Sequence, residues 1–265
     1  MVKAKAKTTP AQQQGFYANL YGGQKGGPGK SWCSRLDCQR HVDRQQDFFL
    51  VDVDEGNSTA AKFYGDYLFN RPAMFTEAME RASRANPVLD AALQKPVVVN
   101  CRAGTNEGIL NWLQTTQVVP VAQRFGIKLR YVFVSDLDND SLNLFRPTAE
   151  MFSLYMPLIF VANLGRNTMG TTFFESEGFQ GLLEQYTVPV ITIKLFDLEL
   201  KRQMEGHNPE KRLLNWGEAR EYEPFGVLGQ AEVQAYLDDF YGQLDRAERF
   251  ADLEFSKRAS SSSAS

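Results

Sequence analysis

Six short runs of consecutive apolar residues punctuate the chain. They are "FYANLYG" (Phe16 to Gly22), "DFFLVDVD" (Asp47 to Asp54), "PVVVN" (Pro96 to Asn100), "LRYVFVSD" (Leu129 to Asp136), "PLIFVANL" (Pro157 to Leu164) and "VPVITIKL" (Val188 to Leu195). Each is β-branched or aromatic and apolar at successive positions, as expected of a strand covered on both faces. Intervals of roughly 20 to 45 residues leave room for a crossover helix between runs. The pattern predicts an α/β fold, an open and mostly parallel twisted sheet with helices on both faces. Past the last run, Val233, Tyr236, Leu237, Phe240, Leu244, Ala247 and Phe250 recur at helical spacing opposite an acidic face. A membrane-surface helix would carry lysines and arginines there, so this segment reads as a final helix docked on the sheet.

Composition narrows the class. The 265 residues are 43% hydrophobic and include 19 Phe and 10 Tyr, enough for a sizeable core. The net charge of −3 gives no whole-molecule attraction to nucleic acid or to an anionic membrane. No apolar run reaches the roughly 18 to 20 residues needed to span a bilayer, and no membrane partner is expected. Three widely spaced cysteines, Cys33, Cys38 and Cys101, do not form a disulfide framework, which points to a reducing cytoplasm. His41 and His207 lack metal-ligand spacing. Residues 1–14 read as a flexible basic leader too poor in apolar residues for a signal peptide, 15–254 as one domain, and 255–265 as a disordered Ser-rich tail.

The chemistry concentrates in "GGQKGGPGKS", Gly22 to Ser31. It follows the first apolar run and precedes a helix that can start at Ser31. In an open parallel sheet, ligands bind beyond the carboxyl ends of strands. There the backbone N–H groups of a glycine-rich turn and a helix N-terminus face an anion together. Gly26, Gly27 and Gly29 allow close approach to phosphate oxygens, Lys30 would reach the terminal phosphates, and the Ser31 hydroxyl would bind Mg²⁺. The candidate nucleotide-binding stretch is therefore Gly26, Gly27, Pro28, Gly29, Lys30, Ser31 and Trp32. Pro28 removes one N–H from it.

Gln24 replaces the first glycine of the general phosphate-loop pattern, and Lys25 adds a second cation. The form K-G-G-x-G-K-[ST] resembles the deviant Walker A box of the ParA/MinD family of P-loop ATPases. The resemblance implies that Lys25 crosses a dimer interface to the partner's nucleotide, stabilising phosphate charge in trans. It also implies that Asp52, which lies 22 positions after Lys30, contacts Mg²⁺ through water, and that Asp54 orients the attacking water. "KPVVVNCRAGT" resembles the third motif imperfectly: Asn100 stands where a Mg²⁺-associated aspartate belongs, and Arg102 where proline is common. Asn163 in "IFVANLGRN" takes the place of an adenine-contacting asparagine. Asp136, Asp138 and Asp140 lack the glycine and glutamate of a calcium loop and read as a solvated acidic loop. The three cysteines read as buried side chains, with no iron–sulfur cluster expected.

What the resemblance implies is an ATP-dependent homodimer that hydrolyses ATP slowly with Mg²⁺ to position a cargo, such as a plasmid or a DNA-processing complex. Its expected partners are itself, an activating or cargo protein, and non-specific DNA, a ligand the linear sequence leaves open. Asn100 and Pro28 motivate an alternative, a nucleotide-binding adapter with little or no hydrolysis. A metabolic ligase or small-molecule kinase is a third reading, against which Lys25 argues.

Overall fold

In the computed structural model, which describes residues 15–53, 59–167 and 170–262, each apolar run contributes one strand. These are β1 (Tyr17–Gly22), β2 (Phe49–Asp52), β3 (Val97–Asn100), β4 (Lys128–Ser135), β5 (Leu158–Asn163) and β6 (Val190–Ile193). They form one sheet in the order β2-β3-β1-β4-β5-β6. Every neighbouring pair is parallel, so each connection must recross the sheet. The crossovers carry α1 (Lys30–Asp43), then α2 (Ala61–Tyr64) with α3 (Pro87–Ala92), and α4 (Asn106–Thr115) with α5 (Val118–Phe125). Next come α6 (Asn139–Asn143) with α7 (Phe145–Phe152), and α8 (Glu177–Gln185). After β6 follow α9 (Leu198–Met204), α10 (Trp216–Arg220) and α11 (Gly226–Ser262).

Two cores explain why the runs are apolar at successive positions. On one face Leu20, Val97, Val99, Tyr131, Phe133, Leu158 and Phe160 pack under α3, α4, α5, α7 and α8. On the other, Tyr21, Val98, Val132, Val134, Ile159 and Val161 pack under α1, α10 and α11. Side chains alternate between faces along a strand, so a doubly covered strand needs apolar groups at both parities. Many of the phenylalanines pack together: Phe133, Phe145, Phe160, Phe174 and Phe179 meet with ring centroids 5.0 to 5.8 Å apart.

The second core is not wholly apolar. Arg40 of α1 is buried and reaches Glu248 and Asp245 of α11 at 2.9 Å each, and Asp37 at 3.0 Å. Arg130 of β4 makes a two-pronged contact with Asp252 of α11, at 2.7 and 2.9 Å. Asn19 of β1 joins the two groups, donating to Asp37 and Glu248 and accepting from Arg130. The acidic face of the last helix is thus partly a docking face, and these charges tie α11 to the sheet.

Two expectations shift here. Phe250, assigned by spacing to the buried stripe, is 45% exposed, and Ala251 is buried instead. Helix α11 runs to Ser262, through the start of the segment expected to be disordered. Local contacts extend it: Ser256 Oγ donates to the Asp252 carbonyl, Ser260 Oγ to that of Ser256, and Lys257 pairs with Glu254. Among the described residues, no helix is long and apolar enough to cross a membrane.

Arg40→Met should lower stability by about 3–5 kcal/mol, because it strands buried carboxylates. Phe250→Ser should change it by less than about 0.5 kcal/mol. Urea unfolding of both variants tests the difference. Burial alone would raise the Asp252 pKa, but Arg130 and Lys128 outweigh it and hold the carboxyl below its usual value. A depressed folded-state value stabilises the fold above the ordinary carboxylate range, about pH 4, and the gain is lost as pH falls through the lowered value. Asp252→Asn should therefore flatten the acid limb of the stability curve; an unchanged limb would remove this pair from the account.

Candidate functional site

The loop Gly23 to Gly29 leaves the carboxyl end of β1. Strand β1 lies between β3 and β4, and the chain departs on one side to build β2 and β3 and returns on the other to build β4. This reversal of strand order opens a crevice at the carboxyl ends, the place where open α/β sheets bind ligands. The crevice is a cleft of about 500 Å³, lined by Gly26, Gly27, Gly29, Lys30, Ser31 and Trp32. Asn163, Gly165 and Arg166 beyond β5, and Lys194 to Phe196 beyond β6, continue its wall.

A contact from across the crevice pins the loop. Asn163 at the end of β5 donates from Nδ2 to the carbonyl of buried Pro28, at 2.7 Å. The next residue, Gly29, has φ of 109° and caps α1 with no side-chain hydrogen bond. A Cβ at Gly29 would sit 2.4 Å from Asn163 Nδ2, so both the backbone angle and the anchoring amide require glycine there. At Gly26 and Gly27 an added Cβ would meet nothing, which leaves bare backbone facing the opening. The helix start behind them offers N–H groups with no side-chain cap, the usual arrangement for an anion.

The two lysines differ. Lys30 is 8% exposed and bends back over the loop, donating to the Lys25 carbonyl at 2.8 Å. Lys25 reaches the end of β4 in the same chain, pairing with Asp136 at 2.9 Å and with Asp138. Those bonds, the one to Asp138 foremost, raise the Lys25 pKa and lower that of Asp138. Asp138 also caps α6, accepting from the Ser141 N–H at 2.8 Å. Asp136 and Asp138 are therefore not the solvated acids that the sequence suggested. The topology sets β4 beside β1, which brings their carboxylates to the second lysine of the loop.

Asp52 and Asn100 face each other in register across β2 and β3. Asn100 is fully buried and donates from Nδ2 to Asp52 Oδ1 at 2.9 Å, while Asp52 Oδ2 accepts from the Ala61 N–H at 2.9 Å. Ser34 Oγ lies 3.4 Å from Asn100 Oδ1. A second aspartate at position 100 would set two carboxylates side by side; the amide supplies a donor instead. Among the described residues, no group of three or more His, Cys, Asp or Glu could hold a metal. The Ser31 hydroxyl lines the cleft, whereas the Asp52 oxygens already accept from Asn100 and Ala61, so Asp52 would suit an oxygen-loving cation only through intervening water. Asn100 fits less well, since its amide is turned to Asp52 and Ser34. Asp54 lies outside the described residues.

Several lining residues were missed from the sequence. Arg35, Lys62, Phe63, Lys201, Glu205 and Tyr236 all reach the cleft. Arg35 had a readable signal, sitting one helical turn past Ser31 on the same face; the others come from elements far apart in sequence. Trp32 packs against Trp216, Phe196 and Tyr236, with centroids 4.7 to 6.3 Å apart, and donates from Nε1 to the Tyr236 hydroxyl at 3.1 Å. Cys101 also lines the cleft, and burial pushes its thiol up to about 12. Cys33 and Cys38 are buried and raised further.

Comparison with known proteins adds little. No protein-family model matches the sequence, and no curated protein matches it. Among solved structures, the chain is similar to the nucleotide-binding protein in complex with ADP from Archaeoglobus fulgidus. The identity is 14% and the TM-score 0.45, over 83% of this chain and 88% of that one. A likeness of that degree says nothing about which residues act.

Gly29→Ala should cost about 1–3 kcal/mol, through the left-handed backbone and the displaced Asn163 amide. Gly26→Ala should cost far less. Thermal unfolding of the two variants gives the comparison, and equal losses would contradict the pinned-loop geometry.

Proposed function

We propose that this chain is an ATP-dependent dimerisation switch that binds ATP with Mg²⁺ and hydrolyses it slowly to position or segregate a cargo, such as a plasmid or a DNA-processing complex. The observation that carries the nucleotide part is the pinned glycine loop at the strand-order reversal, with bare backbone at Gly26 and Gly27, an uncapped helix start and Lys30 folded across it. Backbone N–H groups held in advance at the site of negative charge do most of the work in binding a triphosphate.

In this reading Lys30 moves from the Lys25 carbonyl to the terminal phosphates. Ser31 and, through water, Asp52 hold Mg²⁺, which when bound neutralises phosphate charge. Asn100 fixes the Asp52 carboxylate by occupying one of its oxygens. Asp54 orients the attacking water, as the family resemblance implies. Lys25 exchanges Asp136 and Asp138 for the phosphates of a partner's nucleotide, so that dimerisation depends on the ligand. An activating or cargo protein and DNA on the closed dimer complete the proposal, and a cytoplasmic location suits it.

The Lys25 ion pairs favour a second reading. A lysine tied to two carboxylates of its own chain supports an adapter that binds nucleotide and a partner protein with little or no hydrolysis. Asn100, buried against Asp52 in place of a second carboxylate, points the same way.

Lys30→Ala should weaken ATP binding by about a hundredfold, the value of a lost charge-assisted contact; unchanged affinity by calorimetry would refute the phosphate-loop assignment. Lys25→Ala should retain ATP binding and lose the ATP-dependent dimer in sedimentation. A dimer that persists in Lys25→Ala would count against the in-trans role of Lys25, and wild-type protein that binds ATP yet releases no phosphate over hours would favour the adapter.

A further inference from the structure

The cleft extends past the phosphate loop, and its far corner is built around Arg35. This side chain is only 7% exposed. Its Nε donates to the Ser31 carbonyl at 3.2 Å. Among the described residues no carboxylate lies within salt-bridge distance of it, and its two terminal nitrogens have no hydrogen-bond acceptor. The guanidinium lies between two rings, 5.1 Å from the centroid of Trp32 and 4.1 Å from that of Phe63. Sandwiching of this kind partly offsets the cost of burying the charge and leaves the edge of the fork free for in-plane hydrogen bonds.

Other cations line the same cleft. Lys201 Nζ stands 5.5 Å from the Trp32 centroid, and Lys62, next to Phe63, lines the same wall. One carboxylate, Glu205, shares the corner, 4.0 Å from Lys201. Among the described residues that line the cleft, Arg35, Lys62 and Lys201, with Arg166 and Lys194 further along the wall, outnumber the one acid, Glu205, a surplus that suits a phosphoryl group. Burial first, then Arg166 and Arg35, lower the Lys201 pKa against the pull of Glu205, and burial lowers that of Arg35 although Glu205 opposes it.

The corner flanks the helix start. The Arg35 Cα lies four residues beyond Ser31, and the side chain runs back along the helix to the Ser31 carbonyl, so the guanidinium sits beside the first turn of α1. Its Nε is tied to a carbonyl, and helix carbonyls point away from the N-terminus. An anion held by the loop N–H groups lies ahead of the helix, whereas one held by Arg35 lies beside it.

We propose that Arg35, Lys62 and Lys201 form a second anion subsite, which binds the phosphoryl group of a small ligand other than the nucleotide. The proposal rests on the nucleotide reading only in assigning the loop to ATP. The Arg35 fork would take two phosphoryl oxygens, and Lys62 and Lys201 would close over the third. Such a ligand beside a nucleotide would make occupancy of the cleft depend on a phosphorylated small molecule as well as on ATP.

The test uses the full chain, saturated with ADP and titrated with phenyl phosphate or inorganic phosphate by calorimetry, with tryptophan fluorescence as a second readout. One equivalent should bind without displacing ADP. Lys62→Met and Lys201→Met, both at solvent-accessible positions, should each weaken it by about tenfold, and Arg35→Lys, which keeps the charge but loses the fork, by a similar factor. Phenyl phosphate binding more tightly than inorganic phosphate identifies an esterified ligand, and equal binding a free one; either supports the subsite. It is overturned if neither probe binds, if either displaces ADP, or if the three variants bind as the wild type does. Should ADP itself fail to bind while phosphate binding keeps the same dependence on these variants, the nucleotide reading falls and the subsite stands.

Discussion

The hydrogen bond from Asn163 Nδ2 to the Pro28 carbonyl, 2.7 Å long, joins the glycine loop to the far side of the sheet. Without it, a run of four glycines and a proline between Gly22 and Lys30 would keep much of the backbone freedom that glycine brings. With it, the loop is held at both ends and from across the crevice. The contact also imposes a sequence constraint, since nothing larger than glycine fits between Pro28 and α1. Asn163 was expected to contact a base. The structure directs its donor to the loop, while the side chain still lines the cleft.

The charges around the loop are arranged in pairs that a ligand would have to exchange. Lys30 rests on the Lys25 carbonyl, Lys25 on Asp136 and Asp138, and Asp52 on Asn100 and the start of α2. Each partner satisfies a buried or half-buried polar group that would be costly to leave bare. An anion in the loop would compete with Asp136 and Asp138 for Lys25. The strength of a dimer that used Lys25 in trans would therefore be a difference between two ion-pair arrangements, and sensitive to salt.

The helix that begins at this loop is fixed at its other end. Asp37 and Arg40 of α1 engage α11, and Asn19 and Arg130 of the central strands join the same network. Buried ionic groups seldom add net stability over an apolar core, but they define one arrangement of the elements that carry them. Here they set the direction of α1, and with it where the uncapped N–H groups and Arg35 point. Trp32, packed among Trp216, Phe196 and Tyr236, holds the wall of the cleft against α10 and α11.

The sequence by itself determined the sheet and the loop. Strands buried on both faces must be apolar at successive positions, so all six could be read directly, and a glycine-rich stretch with two lysines between a strand and a helix has few alternatives. The helical stripe of α11 was legible except at Phe250, because a long helix drifts relative to the sheet it crosses and spacing alone does not fix which residue turns outward. What only the tertiary structure decided is pairing between distant elements. That β4 lies beside β1, bringing Asp136 and Asp138 to Lys25, follows from strand order, which linear pattern does not encode. Asn163 as an anchor, Asn100 as the partner of Asp52, and the meeting of Lys62 and Lys201 around Arg35 arise in the same way. Each depends on which strand ends the crossovers bring side by side, and burial makes such contacts strong only once the chain has closed around them.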